Sequence, residues 1–95
     1  MSAYAIFTKV KTIDAAELNA YNDAVRETFK GHNLKILAAY GRYEVLEGPQ
    51  HEGIVIVEFP SMQDAKAWYN SPEYRKVREH RFKGAEYRAV IVEGL

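Results

Sequence analysis

Ile54-Val55-Ile56-Val57-Glu58-Phe59 (IVIVEF) is the stretch whose reading decides the fold. Five of its six residues are apolar, and β-branched side chains dominate, so it reads as a strand. A near-continuous apolar run implies burial on both faces. Alternation sends Val55, Val57 and Phe59 to one side and Ile54, Ile56 and Glu58 to the other. Upstream, Gly48-Pro49-Gln50-His51-Glu52-Gly53 reads as a turn. Downstream, Pro60-Ser61 opens a helix with Ser61 as N-cap and Asp64 at its third position. Ala65, Trp68 and Tyr69 supply its apolar face. Asn70 breaks it, and Ser71-Pro72 starts a third helix that runs to about Lys83, with serine capping and proline in first place. Glu86 to Glu93 (EYRAVIVE) is the last strand.

Working back from the turn, Lys35 to Leu46 contains a strand, bent near Gly41 by a bulge. Ala3 to Val10 (AYAIFTKV) is the first strand. Between them Asp14 caps a helix, Glu17 completes a capping box, and Ile13 and Leu18 are spaced for a hydrophobic staple. Leu18, Tyr21, Val25 and Phe29 form its apolar stripe. Lys30 suits its C-terminal dipole, and Gly31 suits the left-handed position beyond it. The order β-α-β-β-α-(α)-β predicts an α+β fold. Residues 1–95 form one ferredoxin-like domain, with helices over one face of a four-stranded antiparallel sheet.

Both faces of that sheet are apolar. In the last strand Tyr87, Ala89 and Ile91 oppose Arg88, Val90 and Val92; in the first, Tyr4, Ile6 and Val10 oppose Ala5 and Phe7. The helices cover one face only. The other would exceed the few hundred Å² of apolar patch that soluble monomers expose. A second copy packed sheet against sheet, giving a homodimer, removes the problem.

Composition narrows the function. Lysine plus arginine number 13 and so do aspartate plus glutamate, so no global field draws nucleic acid or an anionic membrane. With no cysteine, zinc–thiolate sites, iron–sulfur clusters, disulfides and thiol catalysis are all out of reach. Lack of cysteine and of a signal-like N-terminus points to the cytoplasm. No metal-ligand pattern such as H-E-x-x-H occurs, and no glycine-rich phosphate loop joins a strand to a helix, so neither metal nor cofactor is expected.

A small organic ligand is the expected partner. Glu58 is the one acid on an otherwise apolar strand. It reads either as a catalytic general base or as a solvated or ion-paired acid at a strand end. Trp68 and Tyr74 flank the helix break and read as an aromatic wall or as core, with Trp68 packed on the sheet. Tyr40, beside a glycine, could reach a pocket. The third helix carries Arg75, Lys76, Arg78, Arg81 and Lys83 against Glu73 and Glu79. Arg75 or Arg81 would stand near a pocket mouth and attract an anion. His32, His51 and His80 read as surface residues.

Val57-Glu58-Phe59-Pro60-Ser61-Met62, Ala67-Trp68-Tyr69-Asn70-Ser71-Pro72-Glu73-Tyr74, Val92-Glu93-Gly94 and Val45-Leu46-Glu47-Gly48 together resemble the family called domain of unknown function 1330. The resemblance spans essentially the whole chain and implies membership of the dimeric α/β-barrel superfamily, in which two ferredoxin-like sheets pair into a barrel. The family brings no established catalytic residues. Wider relatives include cofactor-independent monooxygenases, haem-degrading enzymes and small isomerases. One departure stands out: relatives often carry Arg-Gly-Gly in the second strand, where this chain has Ala39-Tyr40-Gly41. The function expected is a small-molecule-binding homodimer, a cofactor-independent enzyme on a small organic substrate; the alternative is a non-catalytic binding or interaction module.

Overall fold

Along the chain run β1 (Ala3–Thr12), α1 (Ala15–Ala24), a 3-10 turn (Val25–Phe29), β2 (Lys35–Ala39), β3 (Gly53–Phe59), α2 (Met62–Tyr69), α3 (Pro72–Gly84) and β4 (Ala85–Glu93). The computed structural model describes residues 1–95. The strands form one sheet in the order β2-β3-β1-β4, every neighbouring pair antiparallel. This is the ferredoxin-like arrangement that the βαββαβ order predicts.

Register decides which side chains meet. Ala5 lies opposite Val57 and Ile91, and Phe7 opposite Val55 and Ala89, so these residues share the face under the helices. There Ala3, Ala5, Phe7, Val57 and Phe59 are buried. On the other face Tyr4, Ile6, Ile54 and Ile56 are only half-buried, and Val90 and Val92 are 57% and 49% exposed. The chain therefore leaves one apolar sheet face open, as the alternation in IVIVEF implies.

Trp68 organises the covered side. Its ring meets Phe59 at 5.7 Å, Phe7 at 6.2 Å, Phe29 at 5.8 Å and Tyr74 at 4.0 Å between centroids. Its indole N–H donates to Thr28 Oγ1 at 3.1 Å, so the polar edge is satisfied where it is buried. The bend between α2 and α3 makes this packing possible. The buried Ser71 hydroxyl donates to the Trp68 carbonyl at 2.8 Å and accepts from the Tyr74 amide at 3.2 Å. One side chain thus ends α2 and caps α3, with Pro72 at the first position as expected. Ser71→Ala is expected to lower unfolding stability by ~1 kcal/mol, read from the urea midpoint. No measurable loss would mean that water replaces the cap.

Several local expectations are corrected. The bulge lies between Ile36 and Ala38 rather than at Gly41, and β2 occupies Lys35–Ala39, within the Lys35–Leu46 stretch. Tyr40 is the reason, with a φ of 56°. A bulky residue in the left-handed region cannot continue a strand. Asp14 does cap α1, accepting from the Ala16 and Glu17 amides. Glu17 does not close a capping box, because the Asp14 amide is taken by the Gly84 carbonyl at 2.9 Å. Glu17 Oε2 instead meets His80 Nδ1 at 2.6 Å, so His80 is tied to α1 rather than free on the surface. Ile13 is 65% exposed and makes no staple. The stripe of α1 continues past Ala24 only by tightening into the 3-10 turn.

Candidate functional site

Between the helices and the covered sheet face lies a cavity of about 240 Å³, lined by 14 residues of which 11 are hydrophobic. Its floor comes from the sheet: Phe7 of β1, Val55 and Val57 of β3, Ile36 and Ala39 of β2, and Tyr87 of β4. Its roof comes from Tyr21 and Asn22 of α1, Val25, Arg26 and Phe29 of the 3-10 turn, Trp68 of α2 and Arg81 of α3. The exposed lining residues are Asn22, Arg26, Ile36, Ala39 and Tyr40, so the mouth opens between α1 and β2. Phe7, Val57, Trp68 and Arg81 are buried and form the inner end. A second, wider hollow of about 430 Å³ lies between α2 and β4, and Phe7 and Trp68 are the partition between the two.

Two phenol pairs mark the first cavity. Tyr21 and Tyr74 join hydroxyl to hydroxyl at 2.8 Å, and Tyr40 and Tyr87 do the same across its wall. The second pair depends on Gly53. A Cβ there would come within 2.5 Å of the Tyr40 ring, so the ring lies flat on bare backbone. The left-handed Tyr40 backbone, its amide bond to the Ile54 carbonyl at 2.9 Å, and the Tyr87 hydroxyl together hold a conformation that is costly by itself. Strained backbone clusters at active sites, ligand clamps and switch regions.

Electrostatically the cavity is one-sided. Arg81 is only 3% exposed, and its guanidinium lies over the rings of Phe7, Tyr87 and Phe82 at 5.0–5.3 Å. No carboxylate pairs with it: the ion pairs of the chain join Lys9 to Glu52, Lys30 to Glu27 and His80 to Glu17. Its Nε is buried without a hydrogen-bond partner. Burial holds the Tyr21 phenol far above its ordinary value, with Tyr74 adding to the effect. Burial raises Tyr74 as well, although the Arg81 charge opposes it. Tyr87 is raised by burial and then by its bond to Tyr40. Tyr21, Tyr74 and Tyr87 are therefore neutral donors at physiological pH and leave the Arg81 charge uncompensated.

Of the residues singled out in the sequence, Tyr40, Trp68 and Arg81 line this cavity together. Tyr74 stands directly behind the lining, bonded to Tyr21 and stacked on Trp68. Arg81 is deep inside rather than at the mouth, and the exposed arginine at the mouth is Arg26. Arg75 is exposed on α3 and is not part of the lining. Glu58 does not join them. It faces the open side of the sheet opposite Lys35 of β2, beside a shallow depression of about 190 Å³ shared with Ser2 and Asn33. Tyr21, Arg26, Phe29 and Tyr87 are site residues that the sequence did not single out. Arg81 follows Tyr74 by seven residues, two turns, on one stripe, but Arg78, four residues on, shares that stripe, so spacing alone does not single out Arg81.

The fold is shared with solved structures of low identity. A protein of unknown function from Rhodopseudomonas palustris is 18% identical with a TM-score of 0.78, covering 99% of this chain and 82% of that one. A dimeric protein of unknown function with a ferredoxin-like fold from Bacteroides fragilis is 16% identical with a TM-score of 0.66, covering 98% and 96%. SnoaB, a cofactor-independent oxygenase from Streptomyces nogalater, is 6% identical with a TM-score of 0.62, covering 99% and 93%. No curated protein matches the chain. The family model described as domain of unknown function (DUF1330) matches residues 2–95, and the chain belongs to that family.

Proposed function

We propose that this protein is a homodimer in which each chain binds a small organic molecule in the cavity between its helices and its sheet. The cavity carries this reading: an apolar, aromatic chamber with a few convergent polar groups is the usual composition of a small-molecule site. The open apolar face of the sheet supports the dimer, since it is the surface a second copy would cover. The Bacteroides fragilis protein of the same fold is described as dimeric.

Two finer readings divide on chemistry. An enzyme working without a cofactor is favoured by the Tyr40–Tyr87 pair, whose hydroxyls can hold or pass a proton at the cavity wall, and by the cofactor-independent oxygenase of the same fold. A non-catalytic binding module is favoured by the lining, which contains no Asp, Glu, His or Lys. Trp68, the single tryptophan, lines the cavity and reports on it directly. Titration of single-ring organic compounds is expected to change its fluorescence. A compound present at a hundred times its Kd should add about 2.7 kcal/mol of unfolding stability. If no member of a broad panel moves either signal at millimolar concentration, the cavity reading fails. Accumulation of a chemically altered compound, followed by mass spectrometry, separates the enzyme from the binding module.

A further inference from the structure

Resting on the small-molecule reading, we propose that the cavity selects organic anions, with a compact aryl carboxylate as the class that fits: its carboxylate against the Arg81 guanidinium, its ring against Trp68 and Phe29.

Charge accounting carries the argument. Arginine stays protonated at every accessible pH, so a guanidinium that is 3% exposed is a fixed charge taken out of water. Such a charge is ordinarily paired. Here the neighbours are three aromatic rings and the neutral Tyr74 hydroxyl, and no Asp or Glu lines the chamber. Ring faces recover only part of the lost hydration. The nearby phenols are held neutral by burial and cannot serve as counterions. The missing negative charge is the natural place for a ligand.

Hydrogen-bond counting gives the same sign. Two phenols that bond to each other use one of their two hydrogens, so each pair keeps one O–H to donate. The Tyr40–Tyr87 pair lies in the wall and can donate to a ligand oxygen. Guanidinium and phenol O–H together suit a carboxylate, whose oxygens only accept. Arg26, exposed at the mouth, adds a steering charge of the same sign. Size sets the body of the ligand: about 240 Å³ lies below the ~300–1,000 Å³ usual for drug-sized ligands, which leaves room for one ring.

The test uses benzoate, benzamide and benzylamine, near-isosteres that differ in charge, titrated into the intact protein with Trp68 fluorescence as readout. Benzoate is expected to bind about ten-fold more tightly than benzamide, the difference between a charged and a neutral hydrogen bond. Benzylamine should bind more weakly than either. Arg81→Met should weaken benzoate far more than benzamide, removing the preference for the acid, and raise Tm in the absence of ligand, because an unpaired buried charge is gone. Arg81→Lys should keep the preference for the acid. Equal affinities for benzoate and benzamide in the wild type, or a preference for the amine, would overturn the proposal while leaving a neutral-ligand cavity intact. If none of the three binds, the anion proposal falls, and the wider panel then decides separately whether the cavity binds anything. Should Arg81→Met fail to fold, the order of the three affinities in the wild type upholds or overturns the proposal by itself.

Discussion

The wild type is expected to sediment at about twice the 10.9 kDa chain mass, and Ile56→Asp at the mass of a single chain. Ile56 sits at the middle of the open sheet face, opposite Ile6 of β1 and Ala38 of β2. If two sheets meet there, the substitution places a carboxylate in an apolar seam, and twofold symmetry doubles it. Each unpaired buried charge costs several kcal/mol, more than a modest interface can absorb. On a face open to water the same substitution would cost only about 1 kcal/mol of strand propensity and leave the mass unchanged. Analytical ultracentrifugation at micromolar concentration distinguishes the two. A wild type that sediments as a single chain would end the dimer reading, as would a variant that keeps the doubled mass.

Trp68→Ala is expected to remove about 3–5 kcal/mol of unfolding stability. At ~0.05–0.15 kcal/mol per residue, a chain of this length holds roughly 5–14 kcal/mol, so the variant stands near the edge of unfolding. The loss has three parts. Ring contacts to Phe7, Phe29, Phe59 and Tyr74 disappear together. The Thr28 hydroxyl loses its indole donor, although it still donates to the Val25 carbonyl. The partition between the two hollows opens, leaving a void that the sheet is too rigid to collapse into. Circular dichroism in urea gives the value without relying on the fluorophore just removed. A loss below about 1 kcal/mol would show that the indole is not the packing centre.

The parts of the fold that were legible are those set by local rules. Alternation in IVIVEF assigned the two sheet faces, and Ser71-Pro72 marked the break between α2 and α3, because both depend on backbone geometry within a few residues. The parts that were hidden depend on distant contacts. Glu17 was spaced for a capping box, yet Gly84 occupies the amide it would have reached and His80 offers a partner 63 residues away. Tyr40 ends β2 because Gly53 and Tyr87 hold it, and neither is its neighbour in sequence. The candidate site divides the same way. Aromatic residues and an arginine of α3 were legible as candidates, and Tyr40, Trp68 and Arg81 line one cavity. Glu58 drew attention as the lone acid of an apolar strand, but position parity alone puts it on the face away from the helices. Arg81 was hidden among five basic residues of α3, since composition does not reveal which of them turns inward.

The 3-10 turn at Val25–Phe29 gives the cavity one soft wall and one stiff wall. Bonds from i to i+3 have poorer geometry than those of an α-helix, so this wall depends on its anchors to Trp68, the buried Thr28 hydroxyl and the Phe29 ring, more than on its own ladder. The opposite wall is Arg81, within the 13-residue α3, and Tyr87, in a strand paired with β1 along most of its length. Val25, Arg26 and Phe29 of this turn line the chamber, and Arg26 stands at its mouth. For an occupant of the kind proposed, release past this side would need only this turn to move, and not the separation of the two copies of the proposed dimer.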